Sequence, residues 1–201
     1  MRSALSALVF TTIAGTAAAA PDTKTGVPFA DVRLDQLEKG AFSAPDQDIQ
    51  RVLSFEDKNG RNLVAFVRRD QAGGRTLQVI HTAPKASGKR ATLRTVNDQV
   101  AKCEFDVIAD FIAGATQVLD EDGDGVAELY FAYRVDCVSD VSPITQKLVV
   151  LEGGQKHILR GTNRVDTGAE KIGGEFKSEG FEGAKPILAR ATMIWETIKG
   201  Q

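Results

Sequence analysis

The chain has 201 residues, of which 42% are hydrophobic and 26% charged, with 25 basic residues against 27 acidic ones and a formal net charge of −2. That apolar content excludes an intrinsically disordered chain, and the balanced charge excludes the basic footprint that nucleic-acid binding requires. Two cysteines are too few for a disulfide-dense scaffold and leave room for one bridge.

Residues 1–19 read as a secretory signal peptide: Arg2 gives the positive start, residues 5–14 an uncharged apolar stretch, and residues 17–20 a small-residue cleavage zone. Pro21 makes a poor first mature residue, so the expected cut falls near Ala19. The segment is too short to span a bilayer, and no other apolar run has spanning length. The expected product is periplasmic or secreted, with no transmembrane segment in the mature chain. Cleavage removes one basic residue, Arg2, and leaves a charge of about −3. The roughly 180 residues that remain suit one domain of ordinary size.

Residues 20–48 are rich in Pro, Asp, Thr and Ala and show little periodicity, which predicts an N-terminal arm with a short helix over residues 35–39. From Val52 strands dominate. Residues 52–55 and 63–67 flank Asn59-Gly60, a strong hairpin signal. Gly73-Gly74, Ser87-Gly88 and Gly153-Gly154 punctuate further strands over residues 77–80, 91–96, 105–108, 146–151 and 156–159. Such spacing predicts a mainly β fold, an antiparallel β-meander forming a sandwich or a propeller-blade-like sheet. A single domain over residues 49–200 ends in a helix over residues 186–199, where Ile187, Ala191, Ile194 and Ile198 share one face with Leu188 and Trp195 beside it. That amphipathic helix covers an open sheet face.

The most informative stretch is Asp120-Glu121-Asp122-Gly123-Asp124-Gly125-Val126-Ala127-Glu128. Acidic residues stand at loop positions 1, 3, 5 and 9 with glycine at position 6, a spacing that aims alternate carboxylates at one hard cation. Asp120, Asp122, Asp124 and Glu128 would supply side-chain oxygens and Val126 its carbonyl, whereas Glu121 at position 2 points outward. The expected cofactor is Ca²⁺. An EF-hand would need a glutamate where Phe131 stands, and the flanks alternate as strands do, so the site joins two strands. The same residues also suit an acidic hairpin turn with solvated charges. Four carboxylates in nine residues repel one another unless a cation neutralises them, which favours the metal.

Cys103 and Cys137 both survive cleavage, and in an oxidising compartment they read as one disulfide enclosing the metal loop, worth ~3–4 kcal/mol on the chain-entropy model. The alternative is a pair of buried thiols. Asp136, Asp140 and Ser142, just beyond the loop, suit either a polar ligand such as a sugar or turn capping ahead of Pro143.

The D-x-D-x-D-G-x-x-E loop resembles the calcium loops of integrin-type (FG-GAP-like) β-propellers, although one copy does not make a propeller. A wider pattern runs from Cys103-Glu104-Phe105-Asp106-Val107 through the loop and Leu129-Tyr130-Phe131-Ala132-Tyr133 to Cys137-Val138-Ser139-Asp140-Val141-Ser142-Pro143, Lys147-Leu148 and the glycine turn. It resembles a small family of secreted bacterial proteins labelled as surface polysaccharide biosynthesis proteins, over about a third of the chain. Val138 stands where that family often carries Arg, which leaves an anion-binding role for this loop without support. The resemblance implies cell-envelope polysaccharide as a partner and brings no catalytic residue with it.

Catalytic motifs are scarce. The two histidines, His81 and His157, read as surface or half-buried strand residues, and no nucleophile elbow, H-E-x-x-H zinc motif or phosphate loop is present. Lys24-Thr25-Gly26 matches a β-lactam-enzyme triplet without its companions and reads as chance. The expectation is an exported calcium-binding β-protein with a binding or structural role. The alternatives are an envelope-glycan enzyme using a carboxylate pair, or a secreted interaction or inhibitor module.

Overall fold

A computed structural model describes residues 25–201. The expected signal peptide lies outside the described residues. Five strands form one antiparallel sheet in chain order: β1 (Phe29–Asp31), β2 (Ile49–Asp57), β3 (Gly60–Gln71), β4 (Gly74–Pro84) and β5 (Arg90–Val100). The chain then crosses to a second antiparallel sheet made of β6 (Asp106–Phe111), β7 (Gln117–Leu119), β8 (Glu128–Val138), β9 (Thr145–Glu152) and β10 (Gln155–Thr162). A two-stranded ribbon, β11 (Arg164–Asp166) with β12 (Lys171–Gly173), leads to β13 (Phe176–Glu179), which pairs with β10 and completes the second sheet. Helix α1 (Lys185–Ile198) closes the chain. The expected meander is therefore folded into two sheets, a sandwich and not a propeller blade.

The Asn59-Gly60 signal lands as read: Asp57 pairs with Gly60 across a two-residue turn, and Gly60 holds a φ of 89° that suits a residue without a side chain. The inner core lies between the sheets. Phe55, Val64, Phe66, Leu77 and Val79 of the first sheet meet Leu129, Phe131, Tyr133 and Leu151 of the second. Phe66 packs edge-on against Phe111 and Phe131, with ring centroids 5.1 and 5.7 Å apart.

Both outer faces are covered as well. The alternate residues Tyr130, Ala132, Leu148, Val150 and Leu159 pack under α1, whose Ile187, Ala191, Ile194, Trp195 and Ile198 are all buried. On the other side Val52, Ala65, Val67 and Ile80 are covered by Val32, Leu34, Leu37, Phe42 and Ala44. Much of the stretch expected as a loose arm is thus a packed outer layer. Its short helix is a 3-10 turn at Leu34–Gln36, not residues 35–39. Strands that bury both faces read as nearly continuous apolar runs, which explains residues 63–67 and 129–133.

The crossing between the sheets is tied down covalently. Cys103 and Cys137 form a disulfide with Cα atoms 5.6 Å apart, joining the crossing segment to the far end of β8. Among the described residues no helix is long and apolar enough to cross a membrane.

Candidate metal centre

The loop between β7 and β8 sits where the tip of the β2–β3 hairpin meets the second sheet. Local hydrogen bonds set its shape: Asp120 accepts the Gly125 N–H, Asp122 accepts the Asp124 N–H at 3.2 Å, and Asp124 accepts the Val126 N–H at 2.6 Å. Gly123 and Gly125 adopt φ values of 75° and 84°, which let the chain curl round the carboxylates. The Val126 amide, with Lys58 next, holds the Asp124 carboxyl below the usual carboxylate range.

Long-range contacts anchor this curl. Lys58 donates from Nζ to the Asp124 carbonyl at 2.9 Å and lies 3.3 Å from its carboxylate, and the Lys58 N–H donates to the Gly125 carbonyl. Asp57 accepts the Ala127 N–H at 3.1 Å and the Asn62 amide at 2.9 Å. Asn62 in turn accepts from His81 Nε2 at 2.8 Å. Glu121, expected to point outward, is not solvated: it pairs with Arg190 of α1, and the two side chains are 13% and 19% exposed.

Two acidic trios result. The ligand oxygens of Asp120, Asp122 and Asp124 lie within 4.8 Å of one another, and so do those of Asp122, Glu128 and Glu152. Both trios could hold a metal ion. Glu128, the first residue of β8, is fully buried; its Oε2 accepts the Glu121 N–H at 2.8 Å and its Oε1 has no partner. Burial, with the charges of Asp122, Glu152 and Asp120 behind it, pushes the Glu128 carboxyl up to about 8. Lys58 and Arg190 answer Asp124 and Glu121, and neither forms an ion pair with Asp120, Asp122, Glu128 or Glu152.

Glu152 was invisible to motif spacing. It ends β9 beside a glycine turn, and only the β8–β9 register sets it opposite Glu128. The charged residue that ends the apolar run Leu148-Val149-Val150-Leu151 was the available signal. Both histidines prove buried, 1% and 4% exposed, not surface or half-buried, because each is held in a polar network. His157 Nδ1 donates to the Gly180 carbonyl and Nε2 faces Glu152 at 3.4 Å.

Asp136 and Asp140 are committed to the backbone. Asp136 accepts the N–H groups of Cys137 and Thr145, and Asp140 accepts that of Ser142 at 3.0 Å. These are turn bonds, the second of the two readings for that loop. A separate cavity of about 410 Å³ opens between the sheets at the break between β6 and β7, lined by Phe66, Phe111, Ile112 and Phe131 with Gln50, Arg51 and Thr116 at its rim.

Fold and site together define a two-sheet antiparallel β-sandwich with a helix-backed acidic centre. No family model, curated protein or solved structure matches the chain.

Proposed function

We propose that the chain is an exported, calcium-stabilised β-sandwich that binds and does not react, serving cell-surface polysaccharide. Calcium sits among Asp120, Asp122, Asp124 and Glu128, with the Val126 carbonyl completing the set. One observation carries the reading: a buried glutamate with an unpartnered oxygen points into a group of carboxylates that the protein's own cations do not neutralise. Such a group binds either protons or a hard cation, and an all-oxygen donor set selects calcium over softer metals. Export is the reading of residues 1–19, and envelope polysaccharide that of the resemblance over residues 103–161.

Support for binding over hydrolysis comes from where the carboxylates lie. A glycosidase presents two of them across an open cleft, whereas Glu128 is buried beneath α1 and the 410 Å³ cavity is lined by aromatic and neutral polar side chains with Arg51. A cavity of this size and lining suits a partly apolar ligand.

The test is an array of envelope polysaccharides probed with the exported protein in calcium, with newly released reducing ends followed in parallel. Retention without release is the expected result. Release that a Glu128→Gln change abolishes would support the enzymatic alternative instead.

A further inference from the structure

We infer that Asp122, Glu128 and Glu152 form a second divalent-cation position, inside the sheet edge, sharing Asp122 and Glu128 with the loop position. It goes beyond the loop reading, with which it has Asp122 and Glu128 in common, and is set apart from it by Glu152.

Geometry carries the inference. Oxygens bound to one Ca²⁺ at about 2.3–2.6 Å lie at most about 5 Å from one another, and each trio meets that limit within 4.8 Å. The trios draw on different elements: one is built from an exposed curl, the other joins Asp122 to two strand ends that face each other in register. Glu128 and Glu152 are thus fixed by the sheet and not by the loop.

A polar atom aimed into the sheet position has nothing to bond. Glu128 is fully buried and its Oε1 makes no hydrogen bond, although its other oxygen is held by the Glu121 N–H. Buried polar groups nearly always find partners, so an unpartnered one marks a missing ligand. The gap also cannot be closed by Lys58 or Arg190, since both are already engaged by Asp124 and Glu121.

The second strand end is oriented for the task. His157 Nδ1 donates to the Gly180 carbonyl, which fixes the ring with Nε2 beside Glu152 Oε2 at 3.4 Å, where a neutral ring has no proton to offer the carboxylate. Phe181 packs against the imidazole, centroids 5.1 Å apart. A neutral His157 thus leaves the Glu152 carboxylate open to a cation, which would clamp β9 to β8 and to the loop together.

Stoichiometry decides. The full-length exported protein, stripped with EDTA and titrated with Ca²⁺ by calorimetry, should take up two ions per chain. Glu152→Gln should take up one, and Asp120→Ala should take up one while keeping the ion that Glu152→Gln loses. One ion in the parent, or two in Glu152→Gln, overturns the inference; if that single ion is lost in Asp120→Ala and untouched in Glu152→Gln, the loop reading stands alone. No uptake overturns both. Should Glu152→Gln fail to fold, native mass spectrometry of the parent in calcium still counts the ions directly.

Discussion

Glu128 and Glu152 stand directly opposite each other across the β8–β9 pair, two carboxylates in cross-strand register on the face that α1 covers. Like charges so placed destabilise a sheet, and burial here forces Glu128 to hold a proton up to about pH 8. Glu128→Gln keeps an oxygen for the Glu121 N–H and stays neutral without having to take up a proton. The calcium-free protein should gain about 1 kcal/mol in chemical unfolding, while its stabilisation by calcium should fall sharply. A calcium-free protein weakened by the change would show that Glu128 is spent on something other than a cation.

Loop positions 2 and 3 should separate two roles. Asp122→Ala should abolish the calcium response, because Asp122 belongs to both acidic trios. Glu121→Ala should leave that response in place yet cost about 2 kcal/mol, since it strands the mostly buried Arg190 guanidinium on α1. The tryptophan emission of Trp195, the chain's single tryptophan, reports on α1 and should change only for Glu121→Ala. Equal loss of calcium response in both variants would contradict this division.

The disulfide and the cation secure the two ends of β8. Cys103–Cys137 closes a segment of sequence separation 34 that contains β6, β7 and the acidic loop. Replacing both cysteines with serine should lower stability by ~3–4 kcal/mol on the chain-entropy model. Calcium should restore part of the loss, because it fastens the same strand at Glu128. The check is a set of urea unfolding curves for parent and double variant, each with and without calcium.

His81 sets an acid limit. Burial comes first and the Arg90 charge adds to it, with Asp57 opposing, and together they take the imidazole from its ordinary 6.5 down to about 4. Its ring also meets Asn62 and Phe55. The folded chain refuses a proton that the unfolded chain accepts. Stability is therefore full above pH 6.5 and is lost as pH falls toward 4, by about 3 kcal/mol in all. Glu128 has the opposite sign: with its value raised to about 8, stability is lost as pH rises from about 4.5 through 8. Unfolding measured between pH 7 and 5 in saturating calcium isolates the histidine, and His81→Gln should flatten that slope.

What the sequence disclosed follows from the range of the signals. The α1 stripe and the Asn59-Gly60 turn are set by neighbours a few residues apart, and both are placed by the structure as read; the loop spacing brings Asp120, Asp122 and Asp124 together, while Glu128 gathers with Asp122 and Glu152. Glu152 and the His81–Asn62–Asp57 chain depend on strand register and on packing between sheets, which no local spacing encodes. β13 lay hidden in a glycine-rich stretch. A Cβ on Gly161 would lie 1.8 Å from the Glu175 carbonyl oxygen, so glycine there marks the close approach of β10 to the segment leading into β13, not a loop. The outer layer of residues 32–44 lacks periodicity because it packs through scattered side chains, not one face of an element.

Thermal unfolding of the exported protein in EDTA and in 10 mM Ca²⁺ tests the central claim most directly. With an affinity of about 10⁻⁴ M, common for extracellular calcium modules, mass action predicts a gain of about 2.7 kcal/mol per site at ~10 mM calcium and a rise of roughly 5–10 °C. Magnesium at the same concentration should give much less, since it demands compact octahedral geometry, and Asp122→Ala should give nothing. An unchanged midpoint in calcium, in a parent that is folded and metal-free at the outset, would reduce the acidic centre to a charged turn.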